Sequence, residues 1–167
     1  MQKISKSTKH TEKIAKEFLT KLNPKKTGAT IVGLYGELGT GKTTFAQFIA
    51  KELGIKNKVN SPTFVIIKSY LLPQTPPNPP LVRGGQKFKH LYHIDAYRLK
   101  NEKELEHLGW DEIIGNREHL VFIEWPEKII KALPKKHHQI HISHLPRRSN
   151  AKAGTKEGYR EFKIKKA

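Results

Sequence analysis

The sequence contains no cysteine, so neither a disulfide framework nor a thiolate metal site holds it together, and a reducing cytosol suits it. Long apolar runs are missing as well. Nowhere do eighteen apolar residues follow one another, and the start, "MQKISKSTKH", has no apolar stretch of its own. With neither a spanning helix nor a secretion signal to read, the expectation is a soluble cytoplasmic protein that stays off the membrane. Acidic residues are scarce: fifteen Asp and Glu face thirty-two Lys and Arg, for a formal charge of +17. The surplus is terminal, since residues 1–28 carry +6, residues 131–167 carry +9 and the stretch between them only +2. Such ends suit RNA or an acidic partner, but no aromatic residues interleave the lysines as a base-stacking platform requires, and a solvated lysine coat accounts for them equally well. His90, His93 and His107 lack metal-ligand spacing with any acid, so no zinc is expected. No internal repeat is visible, and 167 residues suit one domain spanning 1–167.

What is present reads as alternating helices and strands. Over residues 8–22, Ile14, Ala15, Phe18, Leu19 and Leu22 recur at three and four, which predicts a first helix with one apolar face. "ATIVGLY" (29–35) is short and almost wholly apolar, as befits a strand buried on both faces of a parallel sheet. After a glycine loop, "KTTFAQFIAKEL" (42–53) places Phe45, Phe48, Ile49 and Leu53 on one face, and Gly54 stands where a helix ends in a left-handed residue. "FVIIKSY" (64–70) and "FKHLYHI" (88–94) read as strands rich in β-branched and aromatic residues. The segment 72–87 between them, with five prolines and two adjacent glycines, builds neither helix nor central strand and is expected to be an exposed insert. "NEKELEHLG" offers Asn101 as an N-cap, Glu104 behind it and Gly109 as a stop, with "WDEII" after it. "HLVFIEW" (119–125) is a second strongly apolar strand. "HQIHIS" (138–143) and "REFKIKK" (160–166) alternate and predict an exposed β-hairpin pair joined by a basic loop over 145–158.

"GELGTGKTTF" (36–45) fits the phosphate-binding pattern G-x-x-x-x-G-K-[ST], and a strand before it with a helix after it is the context that makes the pattern credible. Gly36, Gly39 and Gly41 allow the backbone N–H groups from Glu37, Leu38, Gly39, Thr40 and Gly41 to turn inward around phosphate oxygens. Lys42 is placed to reach the β- and γ-phosphates, Thr43 to offer a hydroxyl to Mg²⁺, and Thr44 to touch the α-phosphate. Such a loop needs a carboxylate on a neighbouring strand, and two stand at strand ends. Glu124 closes "LVFIE" in the manner of a Walker-B strand, and Asp95 closes "LYHID". "SPTF" (61–64) occupies the position of a GTPase switch segment, which makes Thr63 a γ-phosphate sensor candidate, although a proline turn at Pro62 entering the strand accounts for it equally well. The guanine motif N-K-x-D is absent, so adenine is the default base. Trp125 reads either as a core residue or as a stacking surface.

"LYGELGTGKTTF", "VNSPTF", "YHIDAYRL", "ELEHLGWDE" and "VFIEWPEKI", in that order over residues 11–133, together resemble the TsaE family, the small bacterial P-loop ATPase formerly called YjeE. The resemblance implies a three-layer α/β P-loop NTPase-like fold with a mixed β-sheet. It also implies ATP and Mg²⁺ as cofactors, and a part in making N6-threonylcarbamoyladenosine (t6A) on tRNA alongside TsaB and TsaD, which use an adenylate made by TsaC. Contact with tRNA is then indirect, through the complex. By matching motif, Lys42, Thr43 and Thr44 bind phosphates and metal, Glu124 in "EWP" is the magnesium or water ligand, and Asp95 is the second acid. Lys42, Asp95 and Glu124 are thus the implied catalytic set. Thr63 belongs to the switch-like segment, and Thr11 matches a threonine beside the nucleotide. The insert over 72–87 and the basic ends depart from the family pattern. Hydrolysis is expected to be slow alone, because no glutamine or arginine finger is evident; Arg98 is the best candidate within the chain. A small-molecule or nucleoside kinase, with Arg147 and Arg148 in a lid, and an RNA-binding module that holds ATP structurally are the alternatives.

Overall fold

The structure is a computed structural model that describes residues 1–56, 62, 66–73, 87–145 and 158–167. Thr63, most of the proline-rich insert, and Arg147 and Arg148 lie outside the described residues. The elements, in chain order, are β1 (Gln2–Ser5), α1 (Thr8–Thr20), β2 (Thr30–Tyr35), α2 (Lys42–Glu52), β3 (Ile67–Leu71) and β4 (His90–Asp95). A 3₁₀ turn (Ala96–Arg98), α3 (Lys103–Glu106), α4 (Trp110–Gly115), β5 (His119–Glu124), a 3₁₀ segment (Pro126–Ala132), β6 (His138–His144) and β7 (Arg160–Lys165) complete them. The strands form one sheet in the order β1-β7-β6-β2-β5-β4-β3.

The sheet is mixed. β6, β2, β5 and β4 run parallel, while β3, β7 and β1 pair antiparallel to their neighbours. β2 and β5 are buried almost end to end, which is why both read as unbroken apolar runs rather than alternating ones. On one face, α1 and α2 bring Phe18, Phe45 and Ile49 onto Val32, Leu34, Phe122 and Phe162. On the other, α4 and the two 3₁₀ segments bring Trp110, Ile113 and Ile129 onto Ile31, Val121 and Ile123. This gives three layers around a sheet whose parallel strands all point their C-terminal ends at one edge. Ligands of open α/β sheets bind at that edge.

The local signals largely hold. Ser7 caps α1, its side chain accepting from the His10 amide, and Gly54 takes φ 85° just past α2. Three readings change. Asn101 is not the residue at the helix boundary, because α3 starts at Lys103; its side chain still accepts from the Lys103 amide at 3.0 Å. The strand after "SPTF" starts at Ile67, preceded by Ile66 at φ 67°. The β6–β7 pair is not an exposed hairpin: Ile140, Ile142, Phe162 and Ile164 are buried under α1 and α2, and β6 lies directly beside β2. β1 was not evident from the sequence. Among the described residues no helix is long and apolar enough to cross a membrane.

Candidate nucleotide site

The loop between β2 and α2 is built on three glycines with positive φ, namely Gly36 at 142°, Gly39 at 78° and Gly41 at 101°. Gly36 has a second reason to be glycine, since a Cβ there would lie 2.2 Å from the carbonyl oxygen of Ile142 on β6. Gly41 is the N-cap of α2 and has no side-chain cap, so the first amides of that helix and its positive dipole end face the loop. Lys42 is 4% exposed. Its Nζ donates to the carbonyls of Gly36 at 2.7 Å and Glu37 at 3.1 Å and stands 3.7 Å from the centre of the Trp125 ring. Burial draws the Lys42 ammonium below the ordinary lysine value, opposed by the carboxylates of Glu124, Glu127, Asp95 and Glu37. Thr40 is buried and donates to Glu37 O at 2.8 Å, closing the loop on itself. Leu38 is 80% exposed, so its backbone is what it offers to a phosphate.

Both predicted acids stand at the C-terminal ends of neighbouring parallel strands, with Asp95 directly opposite Glu124 in the β4–β5 register. Each is nearly sealed from solvent, at 4% and 3% exposure. The Thr43 hydroxyl donates to Glu124 Oε2 at 2.9 Å, and the other oxygen, Oε1, lies 2.8 Å from His93 Nε2. Asp95 Oδ1 accepts from the Tyr97 amide at 3.0 Å and so starts the turn that carries Arg98, which is exposed. Trp125 follows Glu124 with φ 58° and lays its ring over Lys42 and against Tyr97, 5.1 Å between ring centres. It is half-buried, neither core nor free surface. A hydroxyl and two carboxylates are hard oxygen donors, which fit a magnesium ion that takes its remaining ligands from phosphate and water. Among the described residues no three His, Asp or Glu side chains are grouped to hold a metal by themselves.

Thr11 lies on the other side of the loop, at 3% exposure, with its hydroxyl 2.8 Å from that of Ser5. It lines a cavity of about 210 Å³ together with Thr8, Gly41, Thr44 and Arg160. Two wider grooves, of about 480 and 450 Å³, lie by Met1, Ile164 and Lys165 and share no residue with the loop. Arg160 was not singled out in the sequence. It stands at the start of β7, its Nε is buried with no hydrogen-bond partner among the described residues, and only the pairing of β7 with β6 and β1 brings it beside Gly41. His93 has no metal-ligand spacing in the sequence, yet alternation along β4 puts it on the same face as Asp95. The structure thus gathers Lys42, Thr43, Asp95 and Glu124 at one strand edge and sets Thr11 and Thr44 around the adjoining cavity.

Residues 5–152 match the family model described as threonylcarbamoyl adenosine biosynthesis protein TsaE. The chain belongs to the TsaE family. A family member from Bacillus subtilis (strain 168), named tRNA threonylcarbamoyladenosine biosynthesis protein TsaE, is 39% identical over 115 residues. That match takes in 67% of this chain and 60% of the relative, so the chain spans about three fifths of the relative's length. A Rickettsia prowazekii (strain Madrid E) TsaE of the same name is 38% identical over 128 residues, 76% of this chain and 74% of that one. The fold is likewise that of a solved structure, Bacillus subtilis YdiB, with a TM-score of 0.63 and 28% identity over 97% of this chain and 83% of that one.

Proposed function

We propose that this site binds ATP with Mg²⁺ and hydrolyses it, and that the hydrolysis serves t6A formation on tRNA in concert with TsaB and TsaD. The observation that carries the reading is Glu124: a buried carboxylate at the end of the strand beside the loop, bonded through Oε2 to the Thr43 hydroxyl. This is the pairing of loop hydroxyl and strand acid that P-loop NTPases use. Family membership supports the pathway, because the relatives are named for it.

Each part has a chemical task. The amides at 37–43 and the start of α2 cradle phosphate oxygens, and Lys42, already held at the loop mouth by Gly36 and Glu37, neutralises their charge. Thr43 and Glu124 would hold Mg²⁺, which when bound draws charge from the β- and γ-phosphates. Asp95, opposite Glu124, orients the attacking water or accepts its proton. The cavity of Thr8, Thr11, Thr44 and Arg160 takes the α-phosphate and nucleoside side, with Arg160 supplying positive charge.

Arg98 lies on an exposed 3₁₀ turn that follows Asp95, and this reading takes the arginine that completes the site from a partner. Turnover by a P-loop protein without such a group falls to roughly 10⁻⁴ to 10⁻³ s⁻¹, and an arginine supplied by a partner adds about 10³ to 10⁵. The isolated protein is therefore a slow ATPase, and fast turnover indifferent to partners would contradict this. Calorimetry tests the division of labour at the site. Lys42→Ala abolishes measurable ATP binding, whereas Glu124→Ala keeps most of the nucleotide affinity and loses hydrolysis. Equal loss of binding in both variants would remove Glu124 from its role.

A further inference from the structure

We infer that His93 is a positioning residue: its Nε2–H holds one oxygen of Glu124 so that the other is presented to Thr43 and the metal. This rests on the reading of Glu124 as the Mg²⁺ ligand and adds the group that makes it competent. His93 is 1% exposed and Glu124 3%, and a carboxylate taken this far from water needs its lone pairs met by donors. Two donors meet them, one on each oxygen: His93 Nε2 on Oε1 at 2.8 Å and the Thr43 hydroxyl on Oε2 at 2.9 Å. They differ in mobility. The threonine hydroxyl rotates and is the group a metal recruits. The imidazole is fixed in β4 between β3 and β5, in register with Lys68 and Phe122.

The type of donor matters. Leu91, His93 and Asp95 alternate onto the face that α2 covers, beside Leu120, Phe122 and Glu124, so His93 is the last side chain before the two acids where leucine or phenylalanine would otherwise continue the core. A lysine or arginine there would claim the carboxylate as a full ion pair and compete with a divalent cation. An imidazole meets Oε1 through the single hydrogen on Nε2. An ionised carboxylate only accepts, which puts the hydrogen on Nε2. Nδ1 is buried with no partner among the described residues, so a hydrogen there would have nothing to bond. The arrangement is the histidine–carboxylate support of metal sites in reverse, with the carboxylate inside and the histidine outside, and losing such an outer partner typically costs 10- to 100-fold in metal affinity.

The test compares two amides. In His93→Gln the side-chain nitrogen falls at the place of Nε2 and keeps the donor; in His93→Asn it falls at the place of Nδ1 and cannot reach Glu124. Mn²⁺ binding to the protein with a non-hydrolysable ATP analogue, followed by electron paramagnetic resonance, should weaken about 10- to 100-fold in His93→Asn. It should stay within about threefold of wild type in His93→Gln, with metal-free analogue affinity and melting temperature alike in the two variants. If His93→Asn is too unstable to purify, His93→Leu takes its place. Imidazole ¹⁵N spectra of the wild type should show His93 protonated at Nε2 and bare at Nδ1. Wild-type Mn²⁺ affinity in His93→Asn alongside a loss in Glu124→Ala, or equal losses in the two amide variants, or a hydrogen on Nδ1, would overturn the inference alone. Unchanged Mn²⁺ affinity in Glu124→Ala would instead remove the metal role of Glu124 and the inference with it.

Discussion

Gly36 shows how closely single residues are constrained at the loop. Its φ of 142° and the 2.2 Å approach that a Cβ would make to Ile142 O involve rigid backbone on both sides. Gly36→Ala is expected to cost about 3 kcal/mol, since strained backbone and a clash act together, and to lower ATP affinity; chemical denaturation and calorimetry check both. Gly39, at φ 78° with open space around its missing Cβ, should lose less in the same measurement, through backbone strain without the clash. The pattern of glycines, lysine and threonines was legible because it is contiguous, and Asp95 and Glu124 were legible because a carboxylate ending an apolar strand is out of keeping with what precedes it. Arg160 and His93 were not read, for different reasons. Arg160 depends on a pairing between distant strands that no local pattern encodes, whereas His93 needed only the two-residue period of β4 applied one step back from Asp95.

At the scale of elements, the C-terminal strands carry the main lesson. The alternation in "HQIHIS" and "REFKIK" gave the strands, but alternation says that two faces differ, not what each face meets. Here the apolar face meets α1 and α2: Phe162 lies 5.7 Å from Phe45, ring centre to ring centre, and is fully buried. Phe162→Ala should cost about 3–5 kcal/mol, while an exposed hairpin would lose almost nothing; thermal or urea denaturation decides. β1 escaped notice because four residues, "QKIS", in a lysine-rich stretch have no apolar pattern, and what holds them is backbone pairing with β7. β6 also makes the fold sensitive to acid. Burial pulls His138 below its ordinary value, helped by Lys25, Lys166 and His137, and its Nδ1 accepts from the Ala167 amide. The unfolded chain therefore binds a proton that the folded chain refuses as pH drops below 6.5. His141 is lowered in the same way, first by burial. Stability should fall as pH descends from 6.5 through the lowered folded values, and His138→Asn should flatten that slope in melts taken across the range.

At the scale of the whole molecule, seven strands bring residues from both ends of the chain to one edge. α1 supplies Thr11, β2 and α2 the loop, β4 and β5 the acids, and β7 Arg160. The basic ends are thus not mere appendages, since β7 completes both the core and the cavity. The cradle is furnished with positive charge and paired acids, and the proposed reading leaves the arginine finger to a partner. On the proposed reading, useful hydrolysis depends on a partner surface, and the site alone should hold ATP far better than it consumes it. The most direct measurement is t6A formation on tRNA reconstituted from TsaB, TsaC and TsaD, followed over many turnovers with this protein, without it, and with Lys42→Ala in its place. The account predicts that the unaltered protein raises t6A formation well above the level reached without it and that Lys42→Ala does not; equal formation with Lys42→Ala and with the unaltered protein would contradict it.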